Sequence, residues 1–272
     1  IKPAKDIWEA THNLLMLYKH VPSITTMPVY LGNLDYMLEP YIKDEEEAYR
    51  AIKLFLKHID TTITDSFCHS NIGPKETKAA FIILRVMEEL QLPTPNLTLK
   101  YSEETSDKLA LAAVEAALVT AKPSFANHKV YSENFKGDYG IVSCYNGLKV
   151  GGGAYTLVRV KLGELSKKAD SVEQFMDEVL PDLADAMLGY IDERVRFIVE
   201  ETPFFESNFL AKEGLIERDK FTGLFGVVGL AECVNNLLKA ENQEDRFGYS
   251  DKANQLGMQI VQKLDEKVKG HK

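Results

Sequence analysis

Paired cysteines are missing from this sequence. Its three cysteines, Cys68, Cys144 and Cys233, lie far apart and form no CxxC pair. That spacing speaks against a structural zinc or iron–sulfur site and fits reduced thiols in a cytosolic protein. Positive charge is also scarce: 32 Lys and Arg face 41 Asp and Glu, for a net charge of −9. Nucleic-acid binding relies on clustered cations, so no nucleic-acid partner is expected, although a local pocket could still take a small anion. No apolar run approaches membrane-spanning length, and the opening Ile1-Lys2-Pro3 brings no signal-like segment. A cytoplasmic protein without a membrane partner is therefore expected, and the sequon Asn96-Leu97-Thr98 would carry no glycan. The phosphate-binding patterns GxxxxGK[ST] and GxGxxG are absent, as are internal repeats and low-complexity linkers. The chain, 45% hydrophobic and 27% charged over 272 residues, is read as one domain, 1–272. Its abrupt start suggests part of a longer polypeptide.

What is present centres on Tyr139-Gly140-Ile141-Val142-Ser143-Cys144-Tyr145-Asn146-Gly147-Leu148, followed by Gly151-Gly152-Gly153. Gly140 and Gly147 bracket Cys144, which predicts a tight loop rather than a helix or long strand. The run Ala154–Val160 is rich in β-branched and aromatic residues and predicts a buried strand. The triple glycine is read as a tight turn with close backbone packing, because a strand follows where phosphate binding needs a helix N-terminus.

Helices are predicted at Asp6–Lys19, capped by Asp6, and at Asp44–His58, whose acidic start complements the helix dipole. Another is predicted from Pro74 to Leu90, with Pro74 where its missing N–H costs nothing. One more runs from a Thr105 or Ser106 cap to Val119. Ser171–Glu200 is predicted helical and divided by Pro181. Gly229–Lys239 and Asp251–Val268 complete the set. Asn33–Leu38 reads as one or two helical turns. Strands are predicted at Pro95–Tyr101, near Lys129–Tyr131 and over 154–162. This mixture gives an α/β architecture.

Several residues invite a chemical reading. Cys144 is a buried small hydrophobe, a thiolate nucleophile served by His69 or His128, or a radical site. Cys68-His69 resembles a metal pair but needs further ligands. Glu232 reads as a surface carboxylate at the start of a helix.

The cysteine segment, taken with Pro93–Tyr101, Gly226–Glu232, Pro22–Tyr30 and Asn71–Lys75, resembles the YjjI-type glycyl radical enzymes over nearly the whole chain. That resemblance implies a glycyl radical enzyme barrel, two five-stranded half-barrels surrounded by helices, of which this chain is an incomplete portion. It implies anaerobic, oxygen-sensitive bacterial chemistry in which a protein glycyl radical, installed by an activating enzyme using S-adenosylmethionine and an iron–sulfur cluster, acts through a thiyl radical at Cys144. A homodimer is common in such families.

Two departures from the family pattern stand out. The radical glycine motif, Arg-Val-x-Gly-Tyr/Phe, has no match, because Arg246-Phe247-Gly248-Tyr249 is wrongly spaced; the glycine is expected outside this chain. Asn146 stands where dehydratases and decarboxylases carry glutamate, and Ser143 where pyruvate formate-lyase has a second cysteine. A carboxamide cannot serve as a carboxylate base, so Glu232 becomes the candidate for acid–base work. Asn96, Asn146 and Glu232 are candidates for orienting a small polar substrate. The alternatives are ribonucleotide-reductase-like chemistry and a non-catalytic ligand-binding or scaffold barrel that lost the radical.

Overall fold

The structure is a computed structural model that describes residues 2–20, 29–61, 68–142 and 145–271. The chain divides into two compact units, Ile1–Gly151 and Gly152–Lys272.

In the first unit, helices return the chain between parallel strands. The order is α1 (Ile7–His20), β1 (Val29–Asn33), α2 (Leu34–Leu38), α3 (Glu45–Thr61), β2 (Cys68–Ile72), α4 (Lys78–Leu90), β3 (Asn96–Tyr101), α5 (Asp107–Thr120), β4 (Ser124–Asn127) and α6 (His128–Phe135). Strands β1 to β4 form one parallel sheet in sequence order. A short antiparallel hairpin follows, β5 (Tyr139–Val142) and β6 (Asn146–Lys149).

Side-chain caps start these helices. The Oδ1 of Asp6 accepts from the Glu9 amide at 2.9 Å, and Oδ1 of Asp44 from the Glu47 amide at 2.7 Å. Ser106 caps α5 through the Leu109 amide. The apolar sides of α1 to α5 bury Leu34, Ile52, Leu56, Ile83 and Met87 with Ile72, Leu97 and Leu99 of the sheet.

Two expectations are corrected here. Helix α4 begins at Lys78, not Pro74, because Thr77 accepts from the Ala80 amide and caps it there. The Gly73 amide is drawn instead to Oδ2 of Asp35 at 2.9 Å. Lys129–Tyr131 is helical, not a strand: the Asn127 side chain accepts from the Val130 amide and caps α6, and the strand is β4 just before it. A local cap outweighed the β-propensity of Val130 and Tyr131.

In the second unit, β7 (Gly153–Lys161) pairs in parallel with β8 (Phe221–Val228). Between them lie α7 (Leu162–Leu165), α8 (Val172–Gln174), α9 (Leu180–Arg196), α10 (Phe204–Ser207) and α11 (Phe209–Lys212). After β8 come α12 (Leu230–Ala240) and α13 (Asp251–Gly270). Phe175, Leu180, Val234, Leu237 and Ile260 are fully buried in this unit's core.

Helical winding is continuous from Val172 to Glu201, so Pro181 does not divide it. Phe175–Val179 winds as a π-helix, and the residue lacking a donor thus falls beside a register change instead of inside a regular α-turn. Strand β7, expected to be buried, is half-buried along most of its length. The close-packing reading of the triple glycine fits the structure: a Cβ on Gly152 would lie 2.1 Å from the Lys220 carbonyl oxygen.

Candidate functional site

Parallel registry puts Tyr30, His69 and Asn96 in one row across β1, β2 and β3, and Asn71, Thr98 and Ser124 in the next row across β2, β3 and β4. Side chains alternate along a strand, so these rows and Lys100 share one face, while Cys68, Ile72, Leu97 and Leu99 turn to the helices. The sheet therefore has an apolar side and a polar side. Cys68 and His69, adjacent in β2, point to opposite sides and cannot bind one metal together. No group of three or more candidate metal ligands occurs among the described residues.

The β5–β6 hairpin lies on the polar side and is fixed along both arms. On β5, Asn71 Nδ2 donates to the Ile141 carbonyl at 2.9 Å, and the Ile141 amide donates back to Asn71 Oδ1 at 2.9 Å. The Tyr30 hydroxyl donates to the same Oδ1 at 3.0 Å. Lys100 Nζ donates to the Tyr139 carbonyl at 2.8 Å and sits 4.1 Å from the centre of the Tyr139 ring. The Tyr30 ring presses on Gly140, where a Cβ would come within 2.5 Å of it. On β6, Phe135 of α6 presses on Gly147, where a Cβ would come within 2.3 Å. The two bracketing glycines are thus the contact points of two aromatic rings.

Rings of Tyr131, Phe135 and His128 stack on Tyr139 with centroids 5.6, 5.8 and 5.9 Å away. The Tyr139 hydroxyl also lies 2.6 Å from His128 Nδ1. The hairpin therefore has a small aromatic core of its own beneath it.

Val142 pairs with Asn146, so the loop between them is Ser143, Cys144 and Tyr145. Ser143 and Cys144 lie outside the described residues. Tyr145 takes a left-handed backbone, φ 65°, and its carbonyl accepts from the Tyr131 hydroxyl at 2.5 Å. A non-glycine residue in that region costs about 1–2 kcal/mol. The hydrogen bond from Tyr131 and the packing at Gly147 hold it there.

Burial dominates the electrostatics. It lowers the Lys100 ammonium to about 8, against the opposing fields of Asp35 and Asp138. It raises the Asp35 carboxyl to about 6, although hydrogen bonds from Gly73, Tyr36 and Thr77 favour the anion. His69 falls to about 4 through burial and the nearby Lys122 charge, so it is neutral near pH 7. Tyr139 rises to about 12, mainly through burial.

The structure places the other candidates separately. Asn96 opens β3 in the row with Tyr30 and His69, four residues from Lys100, or about 13 Å along the strand. Asn146 is half-buried at the first position of β6, beside the cysteine loop. Glu232 belongs to the second unit, exposed in the first turn of α12 at the C-terminal end of β8. Its side chain folds over Gly229, whose left-handed φ of 82° opens that helix. A carboxylate there also complements the helix dipole. Cys68 and Cys233 are core thiols, 1% and 0% exposed, and burial raises both. Sequence reasoning missed Asn71, Lys100 and Tyr30. The signal was the alternation of His69 and Asn71 in β2 and of Asn96, Thr98 and Lys100 in β3.

A profile of the glycyl radical enzyme YjjI-like family matches residues 1–272. The chain belongs to that family. An uncharacterized Haemophilus influenzae protein is 48% identical over 272 residues, covering 100% of this chain and 53% of the relative. The uncharacterized Escherichia coli protein YjjI is 42% identical, covering 98% of this chain and 53% of the relative. The chain thus spans about half the length of these curated relatives. Among solved structures, the glycerol-bound B12-independent glycerol dehydratase of Clostridium butyricum aligns with a TM-score of 0.71 at 14% identity, covering 98% of this chain and 43% of that one. The anaerobic ribonucleotide reductase of Thermotoga maritima, with citrate in its active site, aligns at 0.68 and 13% identity, covering 99% and 58%. The fold is that of the glycyl radical enzyme barrels, in a mixed α/β form. Among the described residues, no helix is long and apolar enough to cross a membrane.

Proposed function

We propose that this chain is the part of a glycyl radical enzyme that carries the hydrogen-abstracting cysteine, Cys144. The observation that supports this reading is the three-residue loop joining Val142 to Asn146, on a hairpin fixed at Gly140, Ile141 and Gly147 above a polar strand face. Of the three cysteines, Cys68 and Cys233 are spent in the two cores, which leaves Cys144 as the thiol carried by a built loop. Hydrogen abstraction needs the sulfur fixed near a substrate carbon, and the two clamped arms provide such fixation.

The family's protein glycyl radical, installed by a radical S-adenosylmethionine activating enzyme, supplies one-electron hydrogen abstraction. A thiol on a rigid loop fits that chemistry, since the S–H bond is the weakest X–H bond among ordinary side chains. Asn146 orients a small polar substrate beside the loop through its carboxamide. Asn96, on the polar face, and Glu232, at the end of β8, are the further substrate-binding candidates, with Glu232 as the acid–base group. The whole of residues 1–272 then serves as barrel core in a cytoplasmic, oxygen-sensitive enzyme. The test uses the full-length protein, activated anaerobically, with a panel of small polyols starting from glycerol. Turnover by wild type and none by Cys144→Ala is expected; equal turnover overturns the reading.

A further inference from the structure

We infer that Asn71 is the positioning residue of the cysteine hairpin, acting as a substitute ladder rung that sets where the Cys144 loop sits. Strand β5 has β6 on one edge. From the sheet, the Asn71 carboxamide satisfies both backbone groups of Ile141, which β6 leaves to it: its oxygen accepts the Ile141 N–H and its nitrogen donates to the Ile141 carbonyl, both at 2.9 Å. This is the two-bond pairing that a neighbouring strand residue would make. Only a group with one donor and one acceptor at the same reach can make it, which specifies a carboxamide of asparagine length.

The rung itself is held. Asn71 is fully buried, its backbone is registered to Thr98 in the sheet, and the Tyr30 hydroxyl gives its oxygen a second hydrogen bond at 3.0 Å. Ile141 stands three residues before Cys144, so a shift of this pairing would move the loop directly. The consequence for catalysis rests on the reading of Cys144 above; the positioning claim itself does not.

The test uses full-length, unactivated protein, so no radical is involved. Asn71→Leu removes both bonds. Asn71→Asp keeps the acceptor for the Ile141 amide but, when ionised, sets an oxygen against the Ile141 carbonyl. When protonated, the introduced carboxyl again offers one donor and one acceptor. Two quantities are measured: hydrogen exchange at the Ile141 amide, and the N-ethylmaleimide labelling rate of Cys144, followed on its own peptide and taken as a ratio to wild type at each pH.

Titratable groups around the site are Tyr30 from β1, Asp35 from α2, Lys100 from β3, Asp138 and Tyr139 at the foot of β5, and His128 from α6. All are present in wild type, so the ratio removes their effect to first order. The expected result is an Ile141 exchange rate raised about tenfold or more in Asn71→Leu, equivalent to about 1.4 kcal/mol. Labelling of Cys144 should change about tenfold at pH 8 in both variants. In Asn71→Asp that ratio should return towards one at pH 5, while in Asn71→Leu it should not. A labelling ratio near one at pH 8 in both variants overturns the proposal. So does a ratio in Asn71→Asp that ignores pH, because that would reflect general loosening and not the lost donor. Should Asn71→Leu fail to fold, the pH dependence of Asn71→Asp decides alone.

Discussion

Gly140→Ala is the sharpest test of how the hairpin is seated. The added methyl would lie 2.5 Å from Cε1, 2.7 Å from Cζ and 2.9 Å from Cδ1 of Tyr30. Carbon atoms in contact prefer about 3.5–4.0 Å, so the ring must retreat by about 1 Å. That retreat pulls the Tyr30 hydroxyl from Asn71, 3.0 Å away. Overpacking costs about 1–3 kcal/mol, and a buried hydrogen bond left unmade about the same, giving about 2–5 kcal/mol in total. Urea unfolding should show a lower midpoint with an unchanged slope. Gly137→Ala, with nothing within 4 Å of its added carbon, is the control and should stay within about 0.5 kcal/mol of wild type. Tyr30→Leu should partly rescue Gly140→Ala, with a coupling of at least about 1 kcal/mol in the double-mutant cycle. A Gly140→Ala protein as stable as the control would refute the close contact and the reasoning built on it.

Two further outcomes follow from the same structure. Gly189 lies in α9 with open space around a built Cβ, so Gly189→Ala should stabilise by about 0.5–1 kcal/mol, read as a higher urea midpoint. Lys100 titrates at about 8 in the fold against 10.5 for an ordinary lysine. Between those values the unfolded chain holds the proton and the native chain does not. Stability should therefore rise with pH from about 8, by up to about 1.4 kcal/mol per pH unit, until tyrosine ionisation in the unfolded chain opposes it near pH 10. Below pH 8 the burial penalty is present in full. Lys100→Met should flatten that rise in urea midpoints measured between pH 7 and 9.5; an unchanged rise would assign it to another group.

The helices were legible because their signals are local. Asp6, Asp44, Ser106 and Ser250 announce starts that the structure keeps. Strand β3 was legible from its alternation. Strand β2 was not, because Cys68-His69-Ser70-Asn71-Ile72 is polar on one side for the sake of the hairpin and the other side is partly Ser70. Strand β4 was hidden by its shortness, and α6 by β-branched and aromatic residues that its cap overrode. The cysteine loop was placed correctly between Gly140 and Gly147, yet their reason lies in long-range contacts: Tyr30 and Phe135 need the space a side chain would fill. Nor could spacing reveal that Asn71 meets Ile141 seventy residues away. Such pairings exist only once the sheet has formed.

The central claim is that Cys144 relays hydrogen, and its most direct test needs no knowledge of the substrate. Full-length protein is activated anaerobically in D2O and its glycine radical is followed by electron paramagnetic resonance. Cys144, whose S–H exchanges with solvent, would pass deuterium to the radical-bearing glycine and collapse the splitting from its α-hydrogen. The account predicts that collapse in wild type and its loss in Cys144→Ala. A Cys144→Ala protein whose splitting collapses as fast as wild type would contradict it.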